Sequence, residues 1–277
     1  MAIGLCTDSH AQIPADLAQW CGIEVVPITV RIDDREYLDG VDIDADGFYT
    51  MLEGSTQPVV TTALPSSGQF ALAYEVLLDR GCTTILSIHP AASASGTLNA
   101  ARLAAHQMGV PVRLVDTGTT GFGVGCCVWA AADAIAAGAS LEEAAAVAES
   151  LAPSIGTVCV VGPGDCRSPS VPGSVAGAKE GISVLALCDG KMQVVDRVAS
   201  MSEAITAMAT FTIGWGDRLH VGIGSASPSA SPLADALADA VGEVAAVRDV
   251  MRYRIGPSTG GHTGPDTVEC FMFPSAT

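Results

Sequence analysis

The chain has 277 residues, a length that can bury a sizeable core and falls between one large domain and two ordinary ones. Thirteen basic against thirty acidic residues give a formal net charge of -17, which repels nucleic acid and anionic membrane surfaces and argues against any phosphate-tracking role. A single bound carboxylate senses its local donors more than a distant, screened net charge, so small organic acids stay open as ligands.

In chain order, Ala2 to Cys6 is an apolar, strand-like run, followed by a polar turn and a helix opened by Pro14. Glu24 to Val30 reads as a second strand and Asp33-Asp34 as a turn. Ser66-x-x-Gln69 is a capping box before a helix ending near Gly81, after which Thr83 to His89 is β-branched and apolar. Ser95 or Gly96 opens an Ala-rich helix to about Met108, Val112 to Val115 is a strand, and Ser140-x-x-Glu143 caps another helix. The apolar stretch Phe122 to Ala139 carries Asp133 and several glycines, which fits a buried helix better than a membrane span. Strand and helix in this rhythm predict a doubly wound parallel sheet, with ligand groups where strands end and helices begin.

The second half differs in texture. Between Gly162 and Gly181 the chain is rich in Gly, Pro and Ser, so a change of lobe is placed just before it, giving an N-terminal α/β lobe over 1–153 and a C-terminal α/β lobe over 154–277. Val184 to Leu187, Asp189-Gly190 and Met192 to Val198 form a hairpin signal. Ser200-x-x-Glu203 caps a helix, Leu219 to Gly224 is a strand, Pro232 sits in the first turn of another helix, and Val244 to Met251 with Thr267 to Phe273 complete a sheet of mixed direction.

The nine cysteines occur in no metal-like or redox CxxC spacing, and most lie inside apolar runs. Their odd number, with no basic leader ahead of Asp8, predicts reduced, buried thiols in a cytoplasmic protein.

Three clusters of small hydrogen-bonding groups stand at the ends of strand-like runs: Thr61-Thr62, Ser93 to Thr97, and Gly260 to Pro265 with His262 among glycines. Hydroxyls, backbone amides and one imidazole suit the grip of a carboxylate or phosphate. Each cluster also has a plain structural reading. The threonines can finish a strand and turn, Ser95 can be an N-cap, and His262 can be a surface histidine. Ser95 with His262 as nucleophile and base would make a small-molecule hydrolase or an acyl- or phosphoryl-transfer enzyme, but there is no GxSxG elbow and no evident orienting acid. Asp8-Ser9 and Asp116-Thr117, after two strands, either face a cleft or cap helices.

Together with Tyr37-Leu38-Asp39-Gly40-Val41-Asp42, Phe48-Tyr49 and Asp189-Gly190-Lys191, these residues resemble the DegV family of bacterial fatty-acid-binding proteins, which includes the binding subunits of a two-component fatty acid kinase. The resemblance implies two α/β lobes with a long-chain fatty acid between them, its carboxylate held and its tail in an apolar tunnel. By the same resemblance the carboxylate-binding threonine falls on Thr62, the loop serine on Ser95 and the late histidine on His262, with Thr61 and Gly96 beside the head group. It also implies a non-catalytic carrier without cofactor or metal, no membrane insertion, and a kinase partner docked through Arg167. The chain departs from the family pattern at Ala63-Leu64 and Ala91-Ala92, which removes spare hydroxyls, and throughout Gly162 to Gly181. A lipid chaperone acting without a kinase is the third reading.

Overall fold

A computed structural model describes residues 2–53, 58–161, 181–188 and 191–275. Contacts divide the chain into two units: Met1–Asp42 with Val59–Pro153, and Ile43–Pro58 with Ser154–Ser275.

In the first unit β1 (Ile3–Asp8), β2 (Glu24–Val26), β6 (Thr84–His89) and β7 (Val112–Asp116) form a parallel sheet in the order β2-β1-β6-β7. One face packs on α3 (Ser67–Asp79) and α4 (Thr97–Ala105), where Cys6, Val26 and Ile85 meet Phe70, Tyr74, Leu77 and Ala101. The alternate strand residues Leu5, Leu86, Ile88 and Val115 are buried as well, so α5 (Phe122–Ala136) and α6 (Leu141–Leu151) complete a doubly wound layer. Both expected capping boxes close, Ser66 with Gln69 and Ser140 with Glu143.

A second, antiparallel sheet of β3 (Thr29–Ile32), β4 (Arg35–Leu38) and β5 (Val60–Ala63) runs in the order β4-β3-β5. The expected single strand from Glu24 to Val30 is therefore two strands in two sheets. Pro27 is the cause, since it has no N–H to continue a ladder and sits where the chain leaves one sheet for the other. Near the start of the chain, Ala15–Cys21 is the short helix α1.

The second unit is a six-stranded mixed sheet of β8 (Gly156–Val160), β9 (Ile182–Cys188), β10 (Lys191–Val198), β11 (Leu219–Ser225), β12 (Val247–Arg254) and β13 (Val268–Pro274), ordered β10-β9-β8-β13-β11-β12. Among the described residues of this sheet, only β11 and β12 pair in parallel. Helices α7 (Met201–Ile213) and α8 (Ser231–Gly242) cover one face through Met208, Leu233 and Leu237 on Val158, Val184, Val221 and Cys270. On the other face Cys159 and Leu185 pack with Met192 and Val194.

The segment Ile43–Pro58, expected within the first lobe, belongs to this second unit. Its helix α2 (Ala45–Leu52) buries Phe48 and Tyr49, the Tyr49 hydroxyl donates to the Ile255 carbonyl at 3.0 Å, and Asp46 pairs with Arg254 at 2.6 Å. Cys6, Cys126, Cys127, Cys159 and Cys270 are buried, and none of the described cysteines is in a disulfide. Burial pushes Cys127 and Cys270 up to about 12, which keeps them as inert thiols. No helix among the described residues is long and apolar enough to cross a membrane.

Candidate ligand-binding site

Strand order in the first sheet reverses between β1 and β6, and open α/β sheets hold ligands beyond the carboxyl ends of strands at such a point. Both strands end in titratable residues there. Cys6 pairs with Ser87 in register, so alternation sends Asp8, Ser87 and His89 toward the same helices. Asp8 Oδ2 lies 2.9 Å from His89 Nδ1, His89 Nε2 lies 2.7 Å from Ser87 Oγ, and Tyr74 Oη donates to Ser87 Oγ at 2.9 Å. All four residues are fully buried. A neutral imidazole satisfies every member: Nδ1–H donates to Asp8, Nε2 accepts from Ser87, and Ser87 accepts from Tyr74. Burial, the largest cause, raises the Tyr74 phenol well above its ordinary range, so it stays a donor. Serine, histidine and aspartate here have the order of a hydrolytic triad, but at zero exposure and with tyrosine on the serine they form a structural chain.

This chain anchors the loop that carries Ser95. The His89 carbonyl accepts from the Thr117 backbone N–H at 3.2 Å and from its hydroxyl at 2.9 Å. Asp116 accepts from Ala92 N–H at 3.3 Å and from Gly118 N–H at 3.1 Å. Asp8 caps the turn Ser9–Ala11 through His10 N–H at 3.1 Å, and Ser9 donates to Asp39 at 3.0 Å. Of the two roles open to Asp8-Ser9 and Asp116-Thr117, the structure gives them capping and bracing.

At the top of the loop Ser95 is half-buried and Gly96 is exposed, just ahead of α4. Ser95 Oγ accepts from Thr97 N–H at 3.2 Å and lies 2.8 Å from Thr97 Oγ1. The first-turn amides of Gly96 and Leu98 have no acceptor among the described residues, which leaves donors and the positive end of a nine-residue helix beside the Ser95 hydroxyl. Thr61 and Thr62 lie on β5, exposed, paired with Arg31 and Val30 of β3. The two segments meet: a Cβ on Gly96 would stand 3.1 Å from Leu64 Cδ2, directly after β5. Thr61, Thr62, Ser95 and Gly96 thus share one region of the first unit.

His262 lies in the second unit and is exposed. Its surroundings are α9 (Pro257–Thr263), a short helix with His262 in its last turn. Packing explains the glycine: a Cβ on Gly260 would overlap the Tyr49 hydroxyl. Arg167 lies outside the described residues. Among the described residues no group of three or more His, Cys, Asp or Glu side chains is placed to hold a metal ion.

Sequence reading passed over His89, Ser87 and Tyr74. The alternation Ile85, Ser87, His89 put two polar residues on one face of an apolar strand, and that was the available signal. It also passed over Glu269, a carboxylate inside the apolar run from Val268 to Phe273.

With this geometry in place, comparison with known proteins assigns the family. The family model described as "Uncharacterised protein, DegV family" matches residues 2–165. A DegV domain-containing protein of Streptomyces coelicolor is 32% identical over 274 residues, covering 95% of each chain. The chain belongs to the DegV family. Its fold matches that of a DegV family protein from Thermus thermophilus, whose structure is described as showing fatty acid binding, with a TM-score of 0.81 at 24% identity over 99% of this chain and 100% of that one. A DegV family protein from Eubacterium eligens, solved loaded with heptadecanoic acid, matches with a TM-score of 0.78 at 17% identity over 99% and 100% of the two chains.

Proposed function

We propose that this protein binds one long-chain fatty acid, with Thr62 and Ser95 as hydroxyl donors to its carboxylate, Thr61 and Gly96 beside it, and His262 as the histidine that the family resemblance assigns to the head group. The observation that carries this reading is the convergence of β5 and the Ser95 loop through Leu64 and Gly96, which collects the exposed threonine hydroxyls, the half-buried Ser95 hydroxyl and unpaired amides over a fully satisfied buried base. Such a set holds an anion without bringing a full opposite charge into the site. Tail burial supplies most of the affinity at roughly 0.8 kcal/mol per methylene, and the head group sets orientation. The fatty acids bound by the Thermus thermophilus and Eubacterium eligens proteins support the same ligand class here.

Mass spectrometry tests this directly. Native and denaturing spectra of freshly purified protein are expected to differ by one acyl-chain mass, and protein that is empty and takes up neither palmitate nor oleate would refute the assignment. In this reading the protein is a carrier rather than a catalyst, since Ser95 Oγ is engaged by Thr97. Presentation of the acid to a separate fatty acid kinase is the further step of the proposal, with Arg167 as the docking residue because an arginine fork suits an acidic surface. Reconstituted with the cognate kinase, Arg167→Ala is expected to slow acyl-phosphate formation while leaving fatty-acid affinity as in the wild type. Equal rates would remove Arg167 from docking, and no turnover with either protein would favour the lone-chaperone reading.

A further inference from the structure

Among the described residues the sheets end in the edge strands β2, β7, β4, β5, β10 and β12. All but one are guarded. β2 carries Glu24, β4 carries Arg35 and Glu36, and β7 carries Arg113 and Asp116. β10 carries Asp196 and Arg197 at a register shift between Val194 and Asp196, and β12 has Arg248 as an extra residue beside Asp249. Charged side chains and bulges are how sheets keep other chains off their edges. β5 has neither: Val60, Thr61, Thr62 and Ala63 are uncharged and pair with β3 without a shift. Thr61, Thr62 and Ala63 are exposed, and so are the flanking Val59 and Leu64, at 66% and 50%.

The backbone of this edge is free as well. The Val59 carbonyl accepts from Asp33 N–H at 2.9 Å and Val59 N–H donates to Asp33 Oδ1 at 2.9 Å, so Val59 points toward β3. Alternation turns Thr61 the same way and turns the N–H and C=O of Val60 and Thr62 outward. Those outward groups have no hydrogen-bond partner among the described residues. Charge decides what fits there. A segment rich in Lys or Arg finds no acidic side chain on β5 to answer it, whereas an uncharged β-branched strand does, and β5 is itself such a strand. Laid antiparallel across a two-fold axis, Thr61 faces Thr61 and Val60 faces Thr62, so no like charges oppose. The same arrangement brings the exposed turn Asp33-Asp34 of each copy toward the Leu64 end of the other, where α4 opens with the free amides of Gly96 and Leu98.

We propose that β5 is a dimerisation edge, through which two copies of this chain join their three-stranded sheets, each Val60 exchanging both backbone bonds with Thr62 of the second copy. The net charge of -17 on each copy opposes association, so the dimer is weak and salt strengthens it. Sedimentation velocity from about 5 to 500 μM is expected to show a monomer–dimer equilibrium that tightens about ten-fold between roughly 0.05 and 0.5 M salt. The Val60 and Thr62 amides are expected to exchange hydrogen about ten-fold more slowly in the dimer than in the monomer. Thr61→Lys and Thr61→Glu each set like charges against each other across the axis. Each variant is expected to be monomeric alone, and an equimolar mixture of the two is expected to regain the dimer. A chain that stays monomeric at every concentration and salt overturns the proposal and leaves this edge to an extended segment of a different protein. A dimer whose Val60 and Thr62 amides exchange as in the monomer, or one that Thr61→Lys leaves intact, also overturns it, since either would be joined through another face.

Discussion

Asp8 Oδ2 lies 2.9 Å from His89 Nδ1, with both side chains fully buried where β1 and β6 end. The pair joins two parallel strands at the point where their order reverses, and the His89 carbonyl then holds Thr117 at 2.9 Å. Asp8→Ala removes the acceptor and leaves a buried N–H unpaired, with an expected loss of about 1.5–3 kcal/mol in urea denaturation. His89→Asn keeps a donor near Nδ1 and is expected to lose less than His89→Leu. If Asp8→Ala melts like the wild type, the pair contributes nothing to holding the strand ends.

Glu269 gives the second unit a pH dependence of unusual sign. Burial, only partly offset by the Tyr253 hydrogen bond, raises its carboxyl from the ordinary 4.5 to about 7. Below pH 4.5 folded and unfolded chains both hold the proton, and the contribution is fully present. As pH rises from 4.5 to 7 only the unfolded chain releases it, so stability falls by on the order of 3 kcal/mol and levels off above. Glu269→Gln is expected to remove this component. The measurement is the difference between wild-type and mutant unfolding free energies at pH 5 and pH 8, and a difference independent of pH would contradict it.

Much of this architecture was legible in the chain because local chemistry sets it. Ser66 with Gln69 and Ser140 with Glu143 need only their own helix ends, and the strand Leu219–Ser225 carries Leu219, Val221 and Ile223 in period-two alternation, a pattern that fits a buried sheet. Long-range partners were hidden. Tyr49 meets Ile255 across 206 residues, so the passage of Ile43–Pro58 into the second unit left no local trace. The candidate site divides the same way. Thr62 and Ser95 were visible as hydroxyls at strand ends, whereas the Asp8–His89 base under the loop depends on an 81-residue separation closed by the parallel sheet. Ser200 shows the limit of motif reading even nearby: it caps Glu203 N–H, but the Glu203 carboxylate accepts from Ala199 N–H.

Gly260 is a packing glycine on the helix that carries His262. A methyl group there collides with the Tyr49 hydroxyl, so Gly260→Ala is expected to destabilise by about 1–3 kcal/mol. Removing the hydroxyl relieves part of the clash, and Tyr49→Phe by itself gives up the bond to Ile255, about 1 kcal/mol. The double mutant Gly260→Ala with Tyr49→Phe is therefore expected to lose less than the sum of the two. Strict additivity in a double-mutant cycle would place the cost elsewhere.

The head-group assignment is tested by Thr62→Val and Ser95→Ala. Each removes one hydroxyl donor to a bound carboxylate while leaving the tail contacts, so each is expected to weaken binding of a fluorescent fatty acid by about 1–3 kcal/mol. The two differ in what else they disturb. Thr62 is exposed on β5, and its change should leave the melting curve in place. Ser95 also accepts from Thr97 N–H at 3.2 Å, so Ser95→Ala is expected to cost an additional 0.5–2 kcal/mol or so of stability at the start of α4. Affinity must therefore be read at a temperature where both variants are folded. A double mutant with wild-type affinity there would show that the carboxylate is held by other groups.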